Sequence, residues 1–221
     1  MAAPQVRDGI TGSRIADELR AAILRGHYPP GTRLRQEELA TQYGASRVPI
    51  REALRLLESE GLIVTVANAG AWIASLSLDE CAELYQVRER IEPLLLRYSL
   101  PNLTESDVDR LSELAEKMQN TRAVERFLEL DREFHLSSYR CAETTFLGPT
   151  VARLWNNTQH YRRAFTKLLD VESNRIVHDE HHMLVAAIRE NDADEAERVL
   201  FGHIRRTRLQ LARHPEVFSG T

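Results

Sequence analysis

Apolar residues recur every three to four positions through most of this chain, and give way to β-branched and aromatic runs in one short stretch. Ile15, Leu19, Ala22 and Ile23 fall at helical spacing and predict a first helix, stopped by Gly26 and the turn Tyr28-Pro29-Pro30-Gly31. Gln36 to Tyr43 predicts a short second helix that buries Leu39, Ala40 and Tyr43, with Gly44-Ala45 as the turn after it. Ser46 then stands where an N-cap is needed, and Pro49 falls in a first turn, where its missing N–H has little use. The third helix runs from there to Glu60, with Gly61 free to take the left-handed cap conformation. Leu62 to Val66 and Ala71 to Ala74, separated by Ala67-Asn68-Ala69-Gly70, read as a hairpin. Helix, helix, turn, helix, hairpin is the order of a winged helix-turn-helix. The first ten or so residues carry no such pattern and are expected to form a flexible arm.

From Ser77 onward strand signals end and the pattern is helical to about Arg213. Ser77-Leu78-Asp79-Glu80 is a capping box, in which the hydroxyl and the carboxylate each serve a free backbone N–H. Thr104 to Asp107 and Asp192 to Glu195 are similar starts. Pro101, Asn120-Thr121, Thr144-Thr145, Asp170 to Ser173 and Asn191-Asp192 divide the rest into six helices, at about 78–99, 105–119, 122–141, 146–169, 174–190 and 193–213. Pro93 lies inside the first of these and should kink it or force a local adjustment. The expected fold is mainly α: an N-terminal winged helix-turn-helix, residues 1–76, and an all-α six-helix bundle, residues 77–221.

Composition alters this picture in two ways. Net charge is −4, but residues 1–76 hold nine Arg and eight Asp or Glu, whereas the remainder holds twenty Lys or Arg and twenty-five Asp or Glu. A nucleic acid would therefore meet the first third. No apolar run approaches the roughly 18 residues of a membrane span. No signal-peptide core precedes Cys81 and Cys141, so a cytoplasmic protein without a disulfide framework is expected.

The third helix carries a stripe of arginines, Arg47, Arg51 and Arg55, opposite the apolar stripe Ile50, Ala53, Leu54 and Leu57. In a helix-turn-helix the N-terminal end of the second motif helix enters the major groove. Arg47 and Arg51 lie near that end, and a guanidinium suits guanine edges and phosphates alike. Arg55 is flanked three residues away by Glu52 and Glu58, so an intrahelical ion pair competes with DNA for it. Ser46 can cap the helix or donate to phosphate, Arg35 is a candidate phosphate contact, and Gly70 at the wing tip allows close backbone approach to the minor groove. The stretch "GHYPPGTRLRQEELATQYGASRVPIREALRLLESEGLI" resembles the DNA-binding domain of GntR-family bacterial repressors over nearly all of residues 13–76. Val48 stands where that family usually has Thr or Ser, so a hydroxyl contact is lost there, and Asn68-Ala69-Gly70 lacks the charge that often precedes the wing glycine. The resemblance implies an operator that differs from the family's common one.

In the helical part, Asp131 and His135 lie four apart on one face of "LELDREFHLSSY". His181 is in phase with Leu184, Val185 and Ile188, and His203 with Ala196, Val199 and Leu200, so both point inward, whereas His182 points out. Burying four such polar groups costs several kcal/mol unless they are satisfied, and one divalent cation satisfies all four. Imidazole and carboxylate suit Zn, Ni, Co, Fe or Mn. With "EHHMLVAAIRENDADEAERVLFGHI", this pattern resembles the FCD effector domain of the FadR subfamily over residues 79–213, and six helices are closer to its VanR-type branch. The resemblance implies that Asp131, His135, His181 and His203 hold a metal beside a small carboxylate effector, with Arg88 near that cavity. A salt bridge from Arg88 to Glu92 is the plainer use of that residue.

The function expected is a homodimeric, effector-responsive transcriptional repressor on palindromic double-stranded operator DNA. Two alternatives remain open at this point. One keeps the DNA-binding head but makes the bundle a ligand-free dimerisation module. The other is a metal-dependent hydrolase, for which Glu133 is the nearest carboxylate but lies about 200° round the helix from Asp131.

Overall fold

A computed structural model describes residues 5–66, 69–168 and 171–218, without the side chains of 5–11 and 171–173. The chain divides into two compact units: the described residues up to Leu76 together with 155–160, and 77–154 together with the described residues from 161 onward.

The first unit holds α1 (Gln5–Leu24), β1 (Arg33–Leu34), α2 (Gln36–Tyr43), α3 (Arg47–Ser59), β2 (Ile63–Val66) and β3 (Gly70–Ile73). Ile15, Leu19 and Ile23 of α1 pack with Leu39 of α2, Ile50, Leu54 and Leu57 of α3, and Leu34, Ile63 and Ile73 of the sheet. The sheet is antiparallel in the order β1-β3-β2, with Ile63 opposite Ile73 and Arg33 opposite Trp72. Three local expectations are revised. Helix α1 starts at Gln5 where an arm was expected, because a segment without proline extends a helix even where it adds no apolar stripe. Strand β1 escaped prediction because two residues carry no periodicity, and it forms because the Ile73 N–H donates to the Thr32 carbonyl at 2.9 Å. Ser46 sits at the N-cap of α3 in extended backbone, but its side chain accepts no capping hydrogen bond. Gly61 takes φ 76 just past α3. Ala67 and Asn68 of the expected hairpin turn, and Asp170 of the fourth interhelical break, lie outside the described residues.

The second unit is built from α4 (Leu78–Ser99), α5 (Glu105–Asn120), α6 (Val124–Tyr139), the two ends of α7 (Leu147–Thr166) on either side of residues 155–160, α8 (Val171–Arg189) and α9 (Ala193–Leu211). Ser77 and Thr104 form the expected capping boxes with Glu80 and Asp107, and Asp192 accepts from the Glu195 N–H. Helix α4 runs without interruption through Pro93. It packs on α9 and α6, α8 packs on α5 and α9, and α5 packs on α6. The buried side chains include Tyr85, Leu95 and Leu96 of α4, Leu111 and Leu114 of α5, Phe134 of α6, Leu184 of α8 and Leu200 of α9. No helix among the described residues is long and apolar enough to cross a membrane.

Candidate nucleic-acid interface and metal centre

In the first unit, α3 turns Ile50, Ala53, Leu54 and Leu57 into the core, which leaves its arginines on the outer face. Arg47, Arg51 and Arg55 line an open groove of about 720 Å³, together with Arg33, Arg35 and Gly70. Ser46 and Val48 are exposed at the N-terminal end of the same helix, Val48 by 57%. Arg47 pairs with Glu37 at 2.8 Å and Arg35 with Glu38 at 3.1 Å, and all four side chains are more than half exposed. Exposed pairs of this kind are worth about 0–1 kcal/mol, so a polyanion displaces them at little cost. Of the two carboxylates that spacing offers to Arg55, Glu58 is used by another contact. Glu58 accepts from the Thr65 N–H at 3.1 Å and from its hydroxyl, tying α3 to β2, and Arg55 is left facing the groove.

Sequence reasoning missed Arg33. From β1 its Nη2 donates to the Ala69 carbonyl at 2.7 Å, and its guanidinium lies over the Trp72 ring at 5.5 Å. It thereby grips the wing beside Gly70, whose φ of 129 falls where a side chain is strained. The signal for it is the cross-strand pairing with Trp72, invisible until β1 is recognised.

In the second unit, α6 supplies Asp131 and His135, α8 supplies His181, and α9 supplies His203. All four are buried, and one ligand atom from each lies within 4.8 Å of the others. His135 Nε2 is 3.2 Å from His181 Nε2, and Asp131 Oδ1 is 3.7 Å and 3.3 Å from these two nitrogens. Ligands about 2.0–2.1 Å from a tetrahedral ion stand roughly 3.3 Å apart, so these separations suit one small cation.

Each imidazole is held from behind. His181 Nδ1 is 2.7 Å from the Val177 carbonyl and must carry the hydrogen; His203 Nδ1 is 3.0 Å from Glu180 Oε2; His135 Nδ1 is 3.4 Å from the Tyr139 hydroxyl, which donates to Glu92 at 3.0 Å. With Nδ1 protonated, each neutral ring turns an Nε2 lone pair toward the others. Burial pushes the His135 and His181 imidazoles below their usual range, so a proton is a poor occupant of that space. Burial also works to raise the Asp131 carboxyl, but the Arg162 guanidinium and the facing imidazoles hold it well below the usual carboxylate range. Asp131 Oδ2 accepts from Arg162, while Oδ1 has no hydrogen-bond partner among the described residues. Three imidazole lone pairs beside an orphaned carboxylate oxygen repel one another unless a cation joins them, and the donor set therefore fits a divalent ion.

The other sequence candidates fall elsewhere. Arg88 is buried against Glu92 and lies over the Tyr85 ring at 4.9 Å, so the plainer use expected of it, the ion pair with Glu92, is present. His182 bonds Gln119 at 2.8 Å. Glu133 pairs with Arg110 at the surface and is no base for the cluster. Arg162, Tyr139 and Glu180 were not anticipated. Tyr139 follows His135 by four residues and was legible by spacing, whereas Arg162 and Glu180 reach their partners only through interhelical packing.

Two family patterns cover the chain: residues 11–73 match the bacterial regulatory proteins of the gntR family, and residues 83–206 match the FCD domain. Among curated relatives, the Nta operon transcriptional regulator of Aminobacter aminovorans is 28% identical over 81% of this chain and 84% of its own length. The gluconate operon transcriptional repressor of Bacillus licheniformis is 29% identical over 83% of this chain and 78% of its own. The repressor GlaR of Escherichia coli is 27% identical over 84% and 89%. Among solved structures, E. coli McbR/YncC superposes with a TM-score of 0.78 at 25% identity, covering 92% of this chain and 98% of that one.

Proposed function

The chain is a GntR-family transcriptional regulator with an FCD domain, and from that premise we propose that it is a homodimeric repressor responding to a small carboxylate effector held beside a divalent metal. Residues 1–76 are the DNA-binding domain, with Arg35, Ser46, Arg47, Val48, Arg51 and Gly70 against the operator and Arg33 and Arg55 beside them. Residues 77–221 dimerise and bind the effector. The observation that carries the reading is the convergence of Asp131, His135, His181 and His203 on one buried point, with each imidazole oriented from its far side. These four residues would hold the metal, and a bound divalent ion would supply positive charge and coordination positions for an anionic ligand. The repressor of the gluconate operon, itself named for a carboxylate, supports that ligand class. Two winged domains in a dimer suit a palindrome, and an effector changes operator affinity only by its differential affinity for the two DNA-binding arrangements.

The test uses the full chain, elemental analysis and fluorescence anisotropy on duplex DNA from its own promoter. About one divalent ion per protomer is expected, lost in the double variant His135→Ala/His203→Ala while DNA binding persists. Retention of the ion by that variant rejects the ligand set. Absence of salt-dependent binding to the promoter duplex rejects the regulatory role.

A further inference from the structure

The three imidazoles of the cluster are not held alike from behind. His181 uses a backbone carbonyl of its own helix, Val177. His135 meets a phenol, Tyr139, backed by the buried carboxylate of Glu92. His203 donates directly to a carboxylate, Glu180, which is 5% exposed and is held on its other oxygen by Arg206 at 2.6 Å. Glu180 and His181 are neighbours on α8 and project about 100° apart. One turn of that helix thus sends an imidazole to the centre and a carboxylate to the back of the imidazole on α9.

We infer that Glu180 is a positioning residue of the metal centre: it fixes His203 as the Nδ1–H tautomer and aims its Nε2 at the cluster. The inference rests on the metal reading above. Its physical ground is that a ligating imidazole whose far N–H meets a carboxylate is both oriented and electron-rich, and loss of such a partner weakens metal binding on the order of 10- to 100-fold. A glutamine accepts the same hydrogen bond from His203 but gives up the charge that faces both the imidazole and Arg206, so a structural role alone would change stability and leave metal affinity unmoved.

The experiment titrates Co²⁺ into the full-length protein, reading the visible ligand-field bands and competition with a chromophoric chelator. Glu180→Gln should bind Co²⁺ on the order of 10- to 100-fold more weakly with altered bands, while the far-UV helical signal stays at its wild-type value. Equal affinity and identical bands overturn the inference. If Glu180→Gln does not fold, Glu180→Asp keeps the charge but falls a methylene short of His203; weaker binding supports the assignment and unchanged binding overturns it. Wild-type protein that takes up no Co²⁺ overturns the metal centre itself, whereas wild-type uptake matched by the variants overturns only the role of Glu180.

Discussion

Replacing Glu92 by leucine isolates the energetics of the buried ion pair on α4. Arg88 is 2% exposed and Glu92 0%. The Glu92 carboxylate is shared between the Arg88 guanidinium and the Tyr139 hydroxyl, which donates to it at 3.0 Å. Leucine fills most of the vacated volume, so the cost is mainly electrostatic: a guanidinium that cannot lose its proton stays buried without its carboxylate. Breaking one side of a buried pair costs about 3–5 kcal/mol. At roughly 2–4 °C per kcal/mol for a chain of this length, the melting temperature should fall by about 6–20 °C. The double variant Arg88→Met/Glu92→Leu removes both desolvated charges and should recover most of the loss, because well-packed apolar replacements of buried pairs are often neutral or stabilising. Urea and thermal unfolding followed by far-UV circular dichroism, at matched protein concentration, complete the double-mutant cycle. If Glu92→Leu lies within about 1 kcal/mol of wild type, or if the double variant is as unstable as the single one, the buried charge of Arg88 does not depend on Glu92 as argued.

Two further outcomes follow from the same geometry. Arg51→Ala removes an exposed guanidinium on the outer face of α3 and should weaken promoter binding by about 1–3 kcal/mol, the range of one good base contact, without moving the melting temperature; anisotropy showing unchanged affinity refutes its reading role. At the start of α4, the Ser77 N–H donates to Glu80 at 2.8 Å, and this backbone bond followed by the Ser77 hydroxyl holds the Glu80 carboxyl below its ordinary 4.5. A depressed folded-state value stabilises the native form above 4.5 and ceases to do so as pH falls through that lowered value. The stability difference between wild type and Glu80→Gln should therefore be full near neutrality and close in acid, and a pH-independent difference in urea midpoints would show that the carboxylate charge plays no part.

Much of the architecture was legible because it depends on local physics. Helix α2 spans the segment expected of it, Gln36–Tyr43, and Gly44 ends it in the left-handed conformation that a glycine announces. The capping boxes at Ser77 and Thr104 could be read for the same reason, the partners being three residues apart. The inward phase of His181 and His203 was a matter of counting turns against Leu184 and Leu200. Strand β1 was not legible, because its two residues acquire their conformation from a partner almost forty positions away, with Arg33 opposite Trp72. Spacing left Arg55 open between DNA and an ion pair with Glu52 or Glu58, because it lists the neighbours a side chain can reach and omits Thr65, which the fold brings to the Glu58 carboxylate.

Periodicity and capping chemistry by themselves therefore determined most of the helical segments, their apolar faces and the inward phase of His181 and His203, because each is decided within one or two turns of chain. Only the tertiary structure decided that Asp131, His135, His181 and His203 meet at one point, that Arg162 takes one oxygen of Asp131, and that Glu180 stands behind His203. Those outcomes depend on the angles and offsets at which α6, α7, α8 and α9 pack, set by the fit of many side chains at once, and no single stretch of sequence contains them.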